Sequence, residues 1–179
     1  MATSPYVVNV ATLLGRPGAM EELTLEFAVP ERIGEGMLYL DAGTQLTIEL
    51  RIEILVDGVL ATAQCTSTLV GECSRCLQPL KQEWSGQITE LFGLDEQDES
   101  LDYFVRNDEI DLEGPLRDTL VLELPFQPLC KEDCLGLNPN DGTPLVEPLP
   151  EAEAEVDPRW AKLQELLGSD ALVDDSREK

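Results

Sequence analysis

The sequence predicts an α+β fold, an antiparallel sheet or partly open β-barrel carrying one internal helix and a C-terminal helix. Three observations carry that expectation. Residues 46–54 alternate between apolar and polar and run into an Asp57-Gly58 turn. Leu112, Leu116, Leu120 and Leu124 recur at the spacing of one helix face. A proline-led amphipathic segment from Asp157 to Gly168 carries the start and stop signals of a short helix.

Taken in order, Leu23-Thr24-Leu25-Glu26-Phe27 alternates and predicts an early strand. In the main strand Leu46, Ile48, Leu50, Ile52 and Ile54 share one face, with Thr47, Glu49, Arg51 and Glu53 on the other. The return strand after Asp57-Gly58 places Val59, Ala61, Ala63, Cys65, Ser67 and Leu69 together, so Cys65 reads as a small core residue. A further strand is predicted over Trp84–Ile88. From Asp95 to Glu113 acids crowd around a single base, Arg106, and the first part is expected to be a mobile loop. Asp111 is placed to cap the internal helix, with Pro115 in the first turn, where proline is tolerated. Pro125 and Pro128 end it and deliver an extended chain to Cys130.

Beyond Cys134 lies a turn-rich loop, Gly136–Gly142, followed by a Pro/Glu linker. Trp160, Leu163 and Leu167 then line one face of a helix too short to persist alone in water. It is expected to dock, on its own core or in a partner's groove. Two units follow: residues 1–146 as a single α+β domain with the paired-cysteine site, and 147–179 as acidic linker, amphipathic helix and tail. No internal repeat is present.

With 179 residues and 42% apolar content the chain can build one good core. Its 36 acidic against 12 basic residues give a formal charge of −24. That balance repels nucleic acid and anionic membrane and attracts basic partners, although it also serves plain solubility or adaptation to salt. No apolar run is long enough to span a bilayer, and residues 1–10 do not read as a secretory or transit signal. The expected location is the cytoplasm, with reduced thiols.

The chemistry on offer is narrow. There is no histidine, which removes the usual general base and every triad built on it. Neither a G-x-x-x-x-G-K-[ST] nor a G-x-G-x-x-G loop occurs. The acidic clusters lack the alternating spacing of a calcium loop and read as solvated surface. The expectation is that the protein is not an enzyme.

Four cysteines in two tight pairs, Cys73/Cys76 and Cys130/Cys134, are the candidate site. Three readings compete. The first is a structural zinc site, since zinc takes four thiolates tetrahedrally and would close a long loop. The second is a redox C-x-x-C, with Arg75 lowering a thiol pKa, which needs a strand-to-helix context. The third is four thiols without metal.

In this order and spacing the motifs resemble the YceD family, the large ribosomal RNA subunit accumulation proteins. The residues that carry the resemblance are Gly71-Glu72-Cys73-Ser74-Arg75-Cys76-Leu77, Ile110-Asp111-Leu112, Leu122-Glu123-Leu124-Pro125, Pro128-Leu129-Cys130, Asp133-Cys134-Leu135-Gly136-Leu137 and Asp157-Pro158-Arg159-Trp160. The resemblance implies a non-catalytic role in synthesis, processing or stability of large-subunit (23S) ribosomal RNA. The implied partner is a basic ribosomal protein or a pre-large-subunit particle, with direct RNA contact weak or local. An acidic interaction module, or nucleic-acid mimic, outside ribosome assembly is the alternative. Many relatives continue the second pair as G-L-C-P-x-C-G, and here Asn138 and Asp141 occupy those cysteine positions. Either the four remaining cysteines suffice, or Asp141 adds an oxygen ligand, or this branch has lost the metal.

Overall fold

The computed structural model describes residues 4–98 and 100–148. Among them the chain runs β1 (Val7–Asn9), β2 (Met20–Ala28), β3 (Leu38–Tyr39), β4 (Gln45–Ile54), β5 (Gly58–Glu72), β6 (Pro79–Gly93), β7 (Tyr103–Phe104), β8 (Glu109–Asp111) and α1 (Glu113–Glu123). One sheet has the order β2-β4-β5-β6-β7, and β3 pairs with β5 past the end of β4; β1 and β8 form a separate pair. The outermost strands, β2 and β7, do not meet, so the sheet is not a closed barrel.

β4 forms as its alternation requires: Leu46, Ile48, Leu50, Ile52 and Ile54 are at most 2% exposed. The Leu55 amide donates to the Gly58 carbonyl at 2.9 Å, closing the hairpin to β5. Cys65 is fully buried on the shared inner face, and burial pushes its thiol up to about 12. Leu112, Leu116 and Leu120 of the helical stretch reach the same core, with α1 lying on β6. Near the helix end, the Trp84 indole Nε1 donates to Glu123 Oε2 at 2.9 Å.

The α+β expectation is corrected. The described residues are mostly β, with eight strands and one 11-residue helix. The expected C-terminal helix, and nearly all of the expected 147–179 unit, lies outside the described residues. Two physical causes account for the extra β structure. First, β6 runs for 15 residues rather than over 84–88 alone, paired to β5 from Glu72↔Pro79 to Gly58↔Gly93. Its inward positions include Gly86 and Glu90, which hide the alternation. Gly86 is needed there: a Cβ would lie 2.3 Å from the Trp84 ring. Second, the acidic stretch folds into β7 and β8, joined through Asn107 and Asp108 at φ of 53° and 61°. Two successive left-handed residues make a tight hairpin turn.

Two finer expectations also shift. β7 pairs with β6 in parallel, Phe92↔Tyr103. The residue capping α1 is Leu112, without a side-chain cap; Asp111 acts from one position further out, its Oδ1 accepting from the Glu113 amide at 3.0 Å. No helix among the described residues is long and apolar enough to cross a membrane.

Glu90 has a measurable consequence. Burial first, then the charges of Asp102 and Asp118, raises its carboxyl pKa. A raised folded-state pKa means the native state holds that proton more tightly than the unfolded chain. Its charge therefore costs stability at neutral pH and is relieved as pH falls. Glu90→Gln is expected to raise the melting temperature at neutral pH, with the gain vanishing near about pH 3. An equal gain at both pH values would show that the effect is not electrostatic.

Candidate metal centre

Two turns and one extended segment assemble the cysteines. Cys73–Cys76 occupies the loop between β5 and β6, a hairpin connection rather than the strand-to-helix turn of a redox C-x-x-C. Within it the Leu77 amide donates to the Cys73 carbonyl and the Cys73 amide to the Gln78 carbonyl, each at 2.9 Å. Leu77 takes a left-handed φ of 57° to close this turn. Chain leaving α1 then crosses the loop: the Ser74 amide donates to the Pro128 carbonyl at 2.8 Å. Arg75 Nη1 reaches the Cys134 carbonyl at 2.9 Å, fixing the second pair against the first.

The result is one cluster in which all four sulfurs lie within 4.8 Å of one another. Cys73 and Cys134 sulfurs are 3.8 Å apart, and those of Cys76 and Cys130 are 3.7 Å apart. Four thiolates at the usual zinc–sulfur bond length stand about 3.8 Å from each other in a regular tetrahedron. Cys73, Cys76 and Cys134 are buried and pack with Leu129 and Leu137 in a small apolar cluster apart from the main core. Cys130 is exposed as a residue while its sulfur faces the other three.

Backbone groups prepare the site for negative charge. Burial alone would raise the Cys73 thiol, but the amides of Cys76, Cys130 and Arg75 point at its sulfur and bring it down to about 6. At Cys76 the Gln78 amide lowers the pKa, yet burial and donation to neighbouring sulfurs leave it raised. Cys130 is pushed up to about 12 by burial and by donation to its neighbours. The four sulfurs together would hold a divalent metal, whose positive charge would let them ionise together. The donor set suits zinc.

Asp141 is not in the cluster, and the Asn138 side-chain oxygen is taken up within its own loop. They occupy a second loop with the hydrogen-bond pattern of the first. The Gly142 amide donates to the Asn138 carbonyl and the Asn138 amide to the Thr143 carbonyl, both at 2.8 Å, and Gly142 has φ of 71°. In the Cys73 loop the amides two residues after each cysteine, Arg75 and Gln78, point at sulfur. In this loop the equivalent amides, Asn140 and Thr143, donate to Asn138 Oδ1 and Asp141 Oδ1 at 2.9 Å each. The loop repeats the hydrogen-bond frame of the cysteine turn, with the Asn138 and Asp141 oxygens accepting the equivalent amides.

The sequence located all four cysteines. It did not single out the Pro128 carbonyl or the left-handed Leu77, for which no sequence signal exists. Arg75 was legible only as a charge, not as the clamp on Cys134.

Comparison with known proteins gives the family. Uncharacterized proteins of Mycobacterium bovis and Mycobacterium tuberculosis are each 42% identical over 176 residues, covering 94% of this chain and 84% of theirs. An uncharacterized protein of Mycobacterium leprae is 32% identical, covering 93% of this chain and 80% of its own. No solved structure matches. The family model described as large ribosomal RNA subunit accumulation protein YceD matches residues 61–167, from near the start of β5 through both cysteine pairs. This chain belongs to the YceD family.

Proposed function

We propose that this protein is a non-catalytic factor supporting accumulation of large-subunit ribosomal RNA in the cytoplasm, acting through a basic protein of the large subunit or its precursor particle. Membership of the family carries the reading. The finer parts rest on chemistry. The absence of histidine and the confinement of four thiols to one cage argue against catalysis. The charge of −24 makes broad contact with bare RNA unfavourable and contact with a basic protein favourable. In this reading zinc in the four-cysteine cage is structural, tying the chain after α1 to the β5–β6 loop.

The test is the ratio of large- to small-subunit ribosomal RNA in cells with and without the gene. A selective fall in the large-subunit species is expected, restored by the wild-type gene. An unchanged ratio across growth conditions would refute the reading and point to an acidic interaction module with a different client. Tight, salt-insensitive binding to bare ribosomal RNA would overturn the route through a protein.

A further inference from the structure

β2 is the outermost strand of the main sheet, and among the described residues no strand pairs with its far side. Two flanking bonds set which backbone groups face outward. The Ile54 amide donates to the Ala19 carbonyl and the Val29 amide to the Thr44 carbonyl, each at 2.9 Å. The register between them is unbroken from Met20↔Glu53 to Ala28↔Gln45. Residues of an antiparallel pair alternate between facing the partner and facing away. Leu23, Leu25 and Phe27 therefore bond to β4, while Glu22, Thr24 and Glu26 turn their N–H and C=O groups to the open edge.

Edges of this length are normally guarded by charge, proline or a bulge. β2 spans nine residues without proline, bulge or lysine, and its guards are acids alone, including Glu21 on the face shared with Ile52. Its charged side chains are all acids, Glu21, Glu22 and Glu26. On β4 Glu53 stands opposite Met20, Glu49 opposite Thr24 and Arg51 opposite Glu22, with Arg51 Nη2 turned to Glu53 Oε2 at 3.6 Å. Such an edge repels a second copy of a chain carrying −24 and favours a strand of opposite charge.

We propose that the open edge of β2 accepts an extended, lysine- or arginine-rich segment of a protein partner as an added strand. The backbone of Glu22, Thr24 and Glu26 supplies the ladder, and basic side chains on one face of the incoming strand meet Glu22 and Glu26. Strand addition draws affinity from main-chain bonds and selects partners through alternate side chains. This rests on the reading that the partner is a basic protein, and adds where and how it binds.

The experiment uses the full chain and two probes of equal charge: a nonapeptide alternating lysine with threonine, and a counterpart alternating proline with lysine methylated at its backbone nitrogen, which has no backbone N–H to give a ladder in either strand direction. The threonine peptide is expected to bind at least about tenfold more tightly, the effect of three modest ladder bonds. It should also slow hydrogen exchange at the Glu22, Thr24 and Glu26 amides. Thr24→Pro removes an outward donor without touching a bond to β4, a place where an edge tolerates proline. It should melt like the wild type and lose the preference. Glu22→Lys with Glu26→Lys, at exposed positions, should weaken binding of both peptides.

Equal binding of the two peptides would overturn the proposal in favour of charge alone. Outward amides already protected in the free chain, or concentration-dependent dimerisation abolished by Thr24→Pro, would overturn it in favour of pairing within the chain or between copies. In cells lacking the gene, Thr24→Pro is expected to fail where the wild type restores large-subunit RNA. Full restoration by Thr24→Pro would sink the edge alone, whereas no effect of the wild-type gene would sink the functional reading.

Discussion

Replacing Cys73 by serine is expected to reduce bound zinc from about one per chain to about none and to lower the melting temperature by roughly 10 °C. Cys73 is fully buried, is the sulfur at which three backbone amides point, and lies 3.8 Å from Cys134. Serine puts a poor ligand at one corner of a cage of four sulfurs. The damage should be regional. The cage packs in its own small cluster, so residues 125–148 lose their anchor while the sheet keeps its core. Hydrogen exchange should show that contrast directly. Cys65→Ser is the control: it should keep the metal and cost about 1–3 kcal/mol, because a hydroxyl is left buried without a partner. Wild-type protein prepared under reducing conditions, free of metal and melting together with Cys73→Ser, would show that the cage is four plain thiols.

Gly71→Ala is the second change expected to be severe, at about 3 kcal/mol. A Cβ at this position would lie 1.9 Å from the Met37 carbonyl oxygen and 2.9 Å from the Leu38 Cα, both of them backbone. No rotamer relieves such a contact. β3 must leave β5, breaking the Leu38↔Gly71 pairing and the bond from the Glu72 amide to the Met37 carbonyl, 2.9 Å long. Leu38 and Leu40, at most 2% exposed, would be drawn out of the core with it. Urea denaturation compares the variant with the wild type. A loss below about 1 kcal/mol would mean that β3 is not held by this close approach. Gly71 also stands two residues before Cys73, so metal content measured on the same sample reports whether strain at β3 reaches the cage.

The sequence by itself determined the local pieces whose physics is local. Alternation in 46–54 gave β4 its buried face, Asp57-Gly58 gave the turn, and leucine spacing after Asp111 gave the buried stripe of α1. It also named all four sulfurs of the cage, because cysteines so closely paired in a chain read as reduced have few other uses. Only the tertiary structure decided the rest. The parallel pairing of β7 on β6, the attachment of β3 to the end of β5, and the length of β6 depend on contacts between residues far apart in sequence. No local pattern encodes these, and inward glycines or acids such as Gly86 and Glu90 hide the alternation that would. The fate of Asn138 and Asp141 was decided the same way. The family resemblance implies that they stand at two cysteine positions of relatives, but backbone amides within the loop hold both Oδ1 atoms, leaving the four cysteines as the cage.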